Sequence, residues 1–303
     1  MKIMKNGVAV ITGGGSGLGK ALAYAAVSRG MKVVLADVHA KALEQTLDEL
    51  HALGAEAVGE VVDVADAAAV EKLAERAETT FGPANLVFNN AGVASAGLIW
   101  ESTDKDWDWL LGVNVKGVAN GIRAFTPRML AAASADPDYQ GSIINTASLA
   151  GVVTGPAMGI YSVSKHAVLA LSECLYHDLA LVTEQVQTAV LCPSYVATNI
   201  GQCYRSRPSR WANSEGLTRS QMATAAISQN NLDNGSLTAD AVAEITFKHI
   251  EQGQFYIFPT TEMHVLLKHR FDRIVEGDNP DLPYQQFEFL QTRRQRLIEA
   301  LTD

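Results

Sequence analysis

Tyr161 and Lys165 lie four residues apart, and Ser148 precedes the tyrosine by thirteen. On a helix, a spacing of four puts both side chains on one face, about one turn from each other. A free phenol ionises near ~10, which makes it a poor base at neutral pH. An ammonium group beside it favours the phenolate. A serine hydroxyl brought alongside could hold an alcohol or carbonyl oxygen while the tyrosine takes or gives its proton. Alone, this pattern is weak, because any amphipathic helix can carry a half-buried tyrosine and a surface lysine. The rest of the chain has to decide.

The elements that must position these groups are legible as a βαβ series. Residues 8–11 form an apolar, β-branched run that ends in Thr12, Gly13, Gly14, Gly15, Ser16, Gly17, Leu18 and Gly19. Residues 20–28, rich in alanine and leucine, read as a helix. Strand, glycine turn and helix in that order make a phosphate site, since glycines let the backbone approach a pyrophosphate and the helix start supplies free N–H groups. Residues 32–36 form the next strand, closed by Asp37, followed by Val38. An acid at this place can accept hydrogen bonds from both ribose hydroxyls of an adenosine and would repel a 2′-phosphate. The glycine loop contains no arginine or lysine, so NAD is expected over NADP. Asp37 could equally cap the helix that begins near Ala40.

Further along, residues 40–53 and 67–81 have helical spacing, with a strand expected at 60–64 between them. Residues 86–92 read as a strand running into a turn, 104–133 as one long helix carrying Asn114, and 141–148 as a strand ending at the serine. A helix at 161–183 and a strand at 187–192 follow. Strands alternating with helices of this length imply a Rossmann-type, doubly wound parallel sheet with helices on both faces. Its carboxyl edge, where the candidate residues fall, is where ligands bind. Residues 199–236 are polar, with Arg205, Arg207, Arg210 and Arg219, and read as a lid of one or two helices. A helix at 236–253 and a last strand at 254–258 complete a catalytic domain over residues 1–258. Residues 259–303 form a helical extension broken around 277–283, and the basic run from Arg293 to Arg296 reads as a solvated face.

Composition excludes several classes. Hydrophobic residues make up 48% and charged ones 19%, as in ordinary globular proteins. A formal net charge of −9 argues against nucleic acid or an anionic membrane as partner. The N-terminus shows neither a targeting signal nor a span, and Cys174, Cys192 and Cys203 form no metal spacing, so a cytoplasmic protein with reduced thiols and no bound metal is expected. Cys174 and Cys192 read as packing residues.

Together these motifs resemble the short-chain dehydrogenases/reductases, in their compact single-domain subgroup, from Val8 to about Phe258. Thr12, Gly13, Gly17 and Gly19 have that subgroup's three-residue gap. By this resemblance Asp63 and Val64 contact adenine, and the turn of Asn89, Asn90, Ala91 and Gly92 lies beside the cofactor. Asn114, Ser148, Tyr161 and Lys165 match the catalytic tetrad, and Pro193, Val196 and Thr198 match the segment that holds the nicotinamide. The resemblance implies that Tyr161 is the acid/base, Lys165 lowers its pKa and binds the ribose, and Asn114 holds a water that relays protons. It also implies a homodimer or homotetramer. Ser194 stands where the family usually has glycine, which raises a question about the local backbone. The extension, together with Arg205, Arg207 and Pro208, resembles the Cα-dehydrogenases of lignin-derived aryl ethers.

The expected substrate is therefore a secondary alcohol, bulky and hydrophobic or aromatic, and its ketone. Pocket candidates are Val93, Ala94, Ser95 and Ala96; Leu149, Ala150 and Gly151; and Ala157, Met158, Tyr195, Tyr204 and Trp211, mostly apolar. Arginines of the lid could bind a carboxylate or phosphate instead, though four on a polar segment read first as exposed. The rival readings are an NADPH-type carbonyl or 3-oxoacyl reductase and a redox-silent NAD-binding regulator.

Overall fold

Val8–Thr12 (β1) is buried at every residue, as a central parallel strand covered on both faces requires. The computed structural model describes residues 5–233, 235, 237–261, 264–280 and 288–302. Around β1 the sheet is built from β2 (Lys32–Asp37), β3 (Ala57–Val61), β4 (Leu86–Asn89), β5 (Gly141–Thr146), β6 (Val186–Leu191) and β7 (Tyr256–Ile257). All seven strands are parallel, in the order β3-β2-β1-β4-β5-β6-β7. The order reverses between β1 and β4, so their carboxyl ends open a crevice at the switch point.

Strand alternation divides the core in two. Ala9, Ile11, Val33 and Leu35 face helices α1 (Gly17–Ser28), α2 (Ala40–Ala52) and, further on, α8 (Ala239–Glu251). Val8, Val10, Val34 and Ala36 face α3 (Ala67–Phe81), α5 (Gly117–Ala135) and α6 (Gly159–Val182). This is the doubly wound arrangement that the strand–helix alternation implies.

Four boundaries differ from expectation. The strand expected at 60–64 is β3, which ends at Val61 because its partner strand ends at Asp37, the register mate of Val61. Asp63 and Val64 therefore lie past the strand end, where the chain enters the crevice. The single long helix expected at 104–133 is α4 (Asp104–Leu111), a π-helical turn at Gly112–Lys116, and α5. A π turn inserts an extra residue and re-aims side chains, and Asn114 sits in it. The last strand has shrunk to Tyr256–Ile257, an edge pair with Val190 and Leu191. The helix expected from residue 236 starts at Ala239 behind the Thr238 cap; Ser236 itself lies outside the described residues.

The lid contains two short 3-10 segments, Asn199–Ser206 and Ser209–Trp211, followed by α7 (Arg219–Asp233). The extension contributes α9 (His264–Glu276) and α10 (Glu288–Thr302), and α10 packs on α7. Residues 281–283 of the expected break, and the side chains of Arg205 and Arg293, lie outside the described residues. Cys192 is buried as expected, whereas Cys174 is exposed at the surface of α6 and packs nothing in the core. Among the described residues no helix is long and apolar enough to cross a membrane.

Candidate active site

The carboxyl edge opens into one cavity of about 1080 Å³. Its floor begins at the glycine loop, where Gly13 and Gly17 have φ of 68° and 52°, the left-handed region that glycine tolerates. A Cβ at Gly19 would lie 2.0 Å from the Gly13 carbonyl oxygen, so only a bare backbone fits there. Ser16, the residue before α1, makes no side-chain bond to the helix start. The first-turn N–H groups are left for an anion. These features fit the pyrophosphate of a dinucleotide.

Thr12 fixes the neighbouring turn. Its hydroxyl accepts the N–H groups of Asn90 (2.9 Å) and Ala91 (3.0 Å), and Asn90 Nδ2 donates back to the Thr12 carbonyl at 3.0 Å. The Asn90–Gly92 backbone is thereby tied to the end of β1. Asp37 is also organised by the chain itself: Oδ2 accepts the Gly15 N–H and Oδ1 the His39 N–H, both at 2.9 Å. His39, not Asp37, is the residue preceding α2.

Of the predicted site residues, Gly13, Ser16, Gly17, Leu18, Gly19, Asp37, Val38, Asp63 and Val64 line the cavity at one end. Asn90, Ala91, Gly92, Val93, Ala94, Ser95 and Ala96 follow along the wall. Ser148, Leu149, Ala150, Met158, Tyr161 and Lys165 form the far side with Pro193, Tyr195, Val196, Thr198, Tyr204 and Trp211. Four expected residues lie off this wall. Gly15 is off the wall, its N–H on Asp37 and its carbonyl accepting Thr46 Oγ1 at 3.1 Å, so it positions the acid. Gly151 and Ala157 are also off the wall. Asn114 lies behind it: Oδ1 accepts the Val93 N–H (2.8 Å), and Nδ2 donates to the Val93 carbonyl (2.9 Å) and to Ser164 Oγ (3.0 Å). Both of its N–H bonds and one lone pair are engaged within the protein, which makes it a brace between the wall and α6.

A buried polar chain sets the rotation of α6. Asn89 donates to Asn145 at 2.8 Å, and Asn145 to Ser172 Oγ at 3.0 Å, linking β4, β5 and α6. Tyr161 and Lys165 consequently face the cavity one turn apart, with the Lys165 ammonium 5.8 Å from the Tyr161 ring centroid. Lys165 Nζ donates to the Thr146 carbonyl at 2.8 Å. Burial pushes Lys165 down to about 8, against a smaller opposing effect of the Cys192 thiol. Burial also pushes Tyr161 up to about 12, while its hydrogen bond with Ser148 pulls the other way. In the chain alone burial dominates, so the phenol is raised and the acidification expected from Lys165 is not reached. Ser148 holds its own place by accepting the Ala150 N–H at 3.2 Å, and its hydroxyl is 3.4 Å from the Pro193 carbonyl. Ser194 has no positive φ, so the serine in place of glycine introduces no backbone strain.

Sequence reasoning missed the lid's anchors. Arg207 Nη1 pairs with Asp106 Oδ1 at 2.5 Å, and Asp106 is 2% exposed. Burial works against the ionised Asp106, yet the Thr103 N–H, the Arg207 guanidinium and the Thr103 hydroxyl outweigh it and hold its pKa below the ordinary carboxylate value. Arg207 also lies over the Trp109 ring, 5.0 Å from its centroid. Arg210 pairs with Asp63, the acid expected at adenine, and stacks on Trp211 at 3.9 Å. Both arginines tie the lid to the body; Arg207 is largely buried, contrary to its reading as exposed, whereas Arg210 stays exposed as expected. Cys203 adds a third anchor, its thiol accepting the Ala94 N–H (3.1 Å) and donating to the Ala94 carbonyl (3.2 Å). The extension was unassigned in the sequence, yet one face of α9 (Leu266, His269, Arg270, Arg273, Ile274) lines the cavity. Its i, i+3, i+4 spacing was visible; which face looked inward was not.

Comparisons with known proteins bear on the whole chain. The family model described as short chain dehydrogenase matches residues 7–208. The chain is 35% identical over 281 residues to the Cα-dehydrogenase of Sphingobium sp. strain SYK-6, covering 92% of this chain and 89% of that protein. It is 31% identical over 289 residues to the CLA biosynthesis dehydrogenase/reductase of Lactiplantibacillus plantarum, covering 93% and 98%. Among solved structures, a short chain dehydrogenase/reductase from Burkholderia phymatum in complex with NAD is 44% identical, with a TM-score of 0.90 over 93% of this chain and 98% of that one. With its glycine loop, its Tyr161–Lys165 wall and these matches over most of its length, the chain belongs to the short-chain dehydrogenase family of oxidoreductases.

Proposed function

We propose that the protein is an NAD-dependent dehydrogenase that interconverts a secondary alcohol and its ketone, with Tyr161 as the acid/base. The observation that carries this reading is the meeting of Tyr161, Ser148 and Lys165 on one wall of the cavity whose other end is the glycine loop. The glycine loop and the α1 start would hold the pyrophosphate, Asp37 the adenosine ribose, and Pro193, Val196 and Thr198 the nicotinamide end. Asp37, with its carboxylate fixed by two backbone N–H groups, favours hydroxyls over a 2′-phosphate, and the NAD found in the Burkholderia relative supports the same preference. This disfavours the NADPH-type carbonyl or 3-oxoacyl reductase, and the complete Tyr161–Lys165–Ser148 set disfavours a redox-silent regulator.

Bound NAD supplies the hydride acceptor in one direction and, reduced, the donor in the other. Ser148 hydrogen-bonds the reacting oxygen and fixes its distance from the phenol. Tyr161 takes the hydroxyl proton as the alcohol becomes a ketone, and returns it in the reverse reaction. Lys165 keeps a positive charge near the phenol, and Asn114 holds Val93 and Ser164 in place around it. Leu181 and Val182, exposed at the end of α6, support a homo-oligomer, which light scattering would check.

The test is Tyr161→Phe. Turnover of aryl and alicyclic secondary alcohols with NAD should fall by roughly 10³-fold, within the range for loss of a general acid/base. NADH affinity, followed by fluorescence, should stay within a few-fold. Near wild-type turnover would end the assignment of Tyr161.

A further inference from the structure

The extension helix α9 sends a cation into a largely apolar cavity. Arg270 lines the wall, half-buried, and Nη1 donates to the Val152 carbonyl at 2.7 Å. Val152 directly follows the 3-10 turn Leu149–Gly151, which itself begins at Ser148. The guanidinium is therefore fixed to the same short segment that carries the hydroxyl at the reacting end. Among the described residues no carboxylate lies within ion-pairing distance of Arg270. The other cavity arginines differ: Arg207 is paired with Asp106 and Arg273 with Asp278. Much of the remaining wall is apolar, with Val93, Leu149, Met158 and Trp211 among its residues.

Holding an unpaired guanidinium against such walls costs desolvation that one backbone carbonyl offsets only in part. An arriving monoanion offsets more of it, and a carboxylate matches the remaining N–H fork in two-point geometry. A dianionic phosphate would need a second cation beside Arg270; Arg207 and Arg273 are already neutralised, and Lys165 is held on the Thr146 carbonyl at the reacting end.

We propose that Arg270 is a specificity residue that binds the carboxylate of an amphipathic substrate, an apolar secondary alcohol or ketone bearing a carboxylate remote from the reacting carbon. This rests on the dehydrogenase reading above and names its substrate class. The extension then serves to read the far end of the substrate, while α6 reads the reacting end.

The experiment has two arms on the full chain. In the first, a series of secondary-alcohol carboxylic acids of increasing chain length is compared with the matching methyl esters at saturating NAD. The acid should be preferred by about tenfold or more in kcat/KM at the best length, mainly through KM, since a charge-assisted pair is worth roughly this much. Arg270→Gln, which keeps a donor for Val152, should bring the acid down to its ester, and Arg270→Lys should keep part of the preference. Equal kcat/KM for acid and ester at every length, or an Arg270→Gln effect equal on both, would overturn the proposal. The second arm measures dodecanoate, which has no alcohol to oxidise, binding to NADH-loaded protein by calorimetry. Binding that Arg270→Gln removes supports the anion site by itself, and if no alcohol in the series turns over, the dehydrogenase reading fails while the site stands. Absent dodecanoate binding alongside good turnover of neutral alcohols sinks the anion site and leaves the dehydrogenase reading intact.

Discussion

The two ends of the cavity are held by different kinds of force. At the glycine-loop end, backbone groups and short polar side chains meet over fixed distances: Thr12 on Asn90 and Ala91, Asp37 on Gly15 and His39. At the lid end, a long charged side chain reaches across the fold, Arg207 to Asp106, a pair more than a hundred residues apart in sequence. The first end has no slack, since an added methyl group already collides. The second can be released by breaking a few contacts, which suits a segment that must admit a substrate. Rigidity where the ligand is constant and looseness where it varies is what the contrast teaches.

The largest effect should come from the tight end. Gly19→Ala puts a Cβ against the Gly13 carbonyl, where backbone must move, and NADH affinity should weaken by about 100-fold or more, with the chain still folded by circular dichroism. Unchanged affinity would show that this loop yields more than the contrast allows. Next is the lid's buried clamp. Asp106→Asn leaves Arg207 charged and without its carboxylate; removing one partner of a buried pair costs about 3 kcal/mol. The loss should appear as faster hydrogen exchange over residues 199–213 with little change in the sheet. Uniform destabilisation would mean that the clamp belongs to the core and not to the lid.

A smaller effect concerns charge at the wall. Lys165 is lowered by burial from 10.5 to about 8, so between those values the unfolded chain binds a proton that the folded chain has lost. Stability from this group therefore rises with pH across that window, whereas Tyr161, raised to about 12, lowers stability above its ordinary value near ~10. In urea unfolding of cofactor-free protein from about pH 8 to about pH 10, wild type should gain relative to Lys165→Met. A flat difference would remove the burial argument for this lysine. The smallest effect is expected for Arg210→Gln. Its side chain is 54% exposed, and such pairs contribute about 1 kcal/mol or less, so only a few-fold change in NADH affinity or KM should follow.

The same contrast explains what could be read in the sequence. Glycine loop, Asp37, Ser148 and the Tyr161–Lys165 pair are local patterns, each placed by its own strand end or helix turn, and the structure brings them to one cavity. Asp106 and Arg207 could not be paired from sequence, because nothing local links α4 to the lid. The capping box of Thr103 and Asp106 is local to the start of α4 and carries no information about the lid. The β3 error has a similar cause. Val61, Val62 and Val64 look like one alternating strand, yet Val61 is 56% exposed at the sheet edge, and Val62 and Val64 are buried after the chain has left the sheet. The π turn at Asn114 leaves no mark in hydrophobic periodicity, since one extra residue in a long apolar pattern reads as scatter.

Arg210 and Arg207 are three residues apart, but they grip opposite regions: Asp63 at the glycine-loop end and Asp106 beside Trp109. Anyone who exchanges this stretch to admit a new alcohol also rewrites the handle on the nucleotide's neighbour. A change made in that segment for the substrate therefore carries a small, few-fold consequence to the cofactor end.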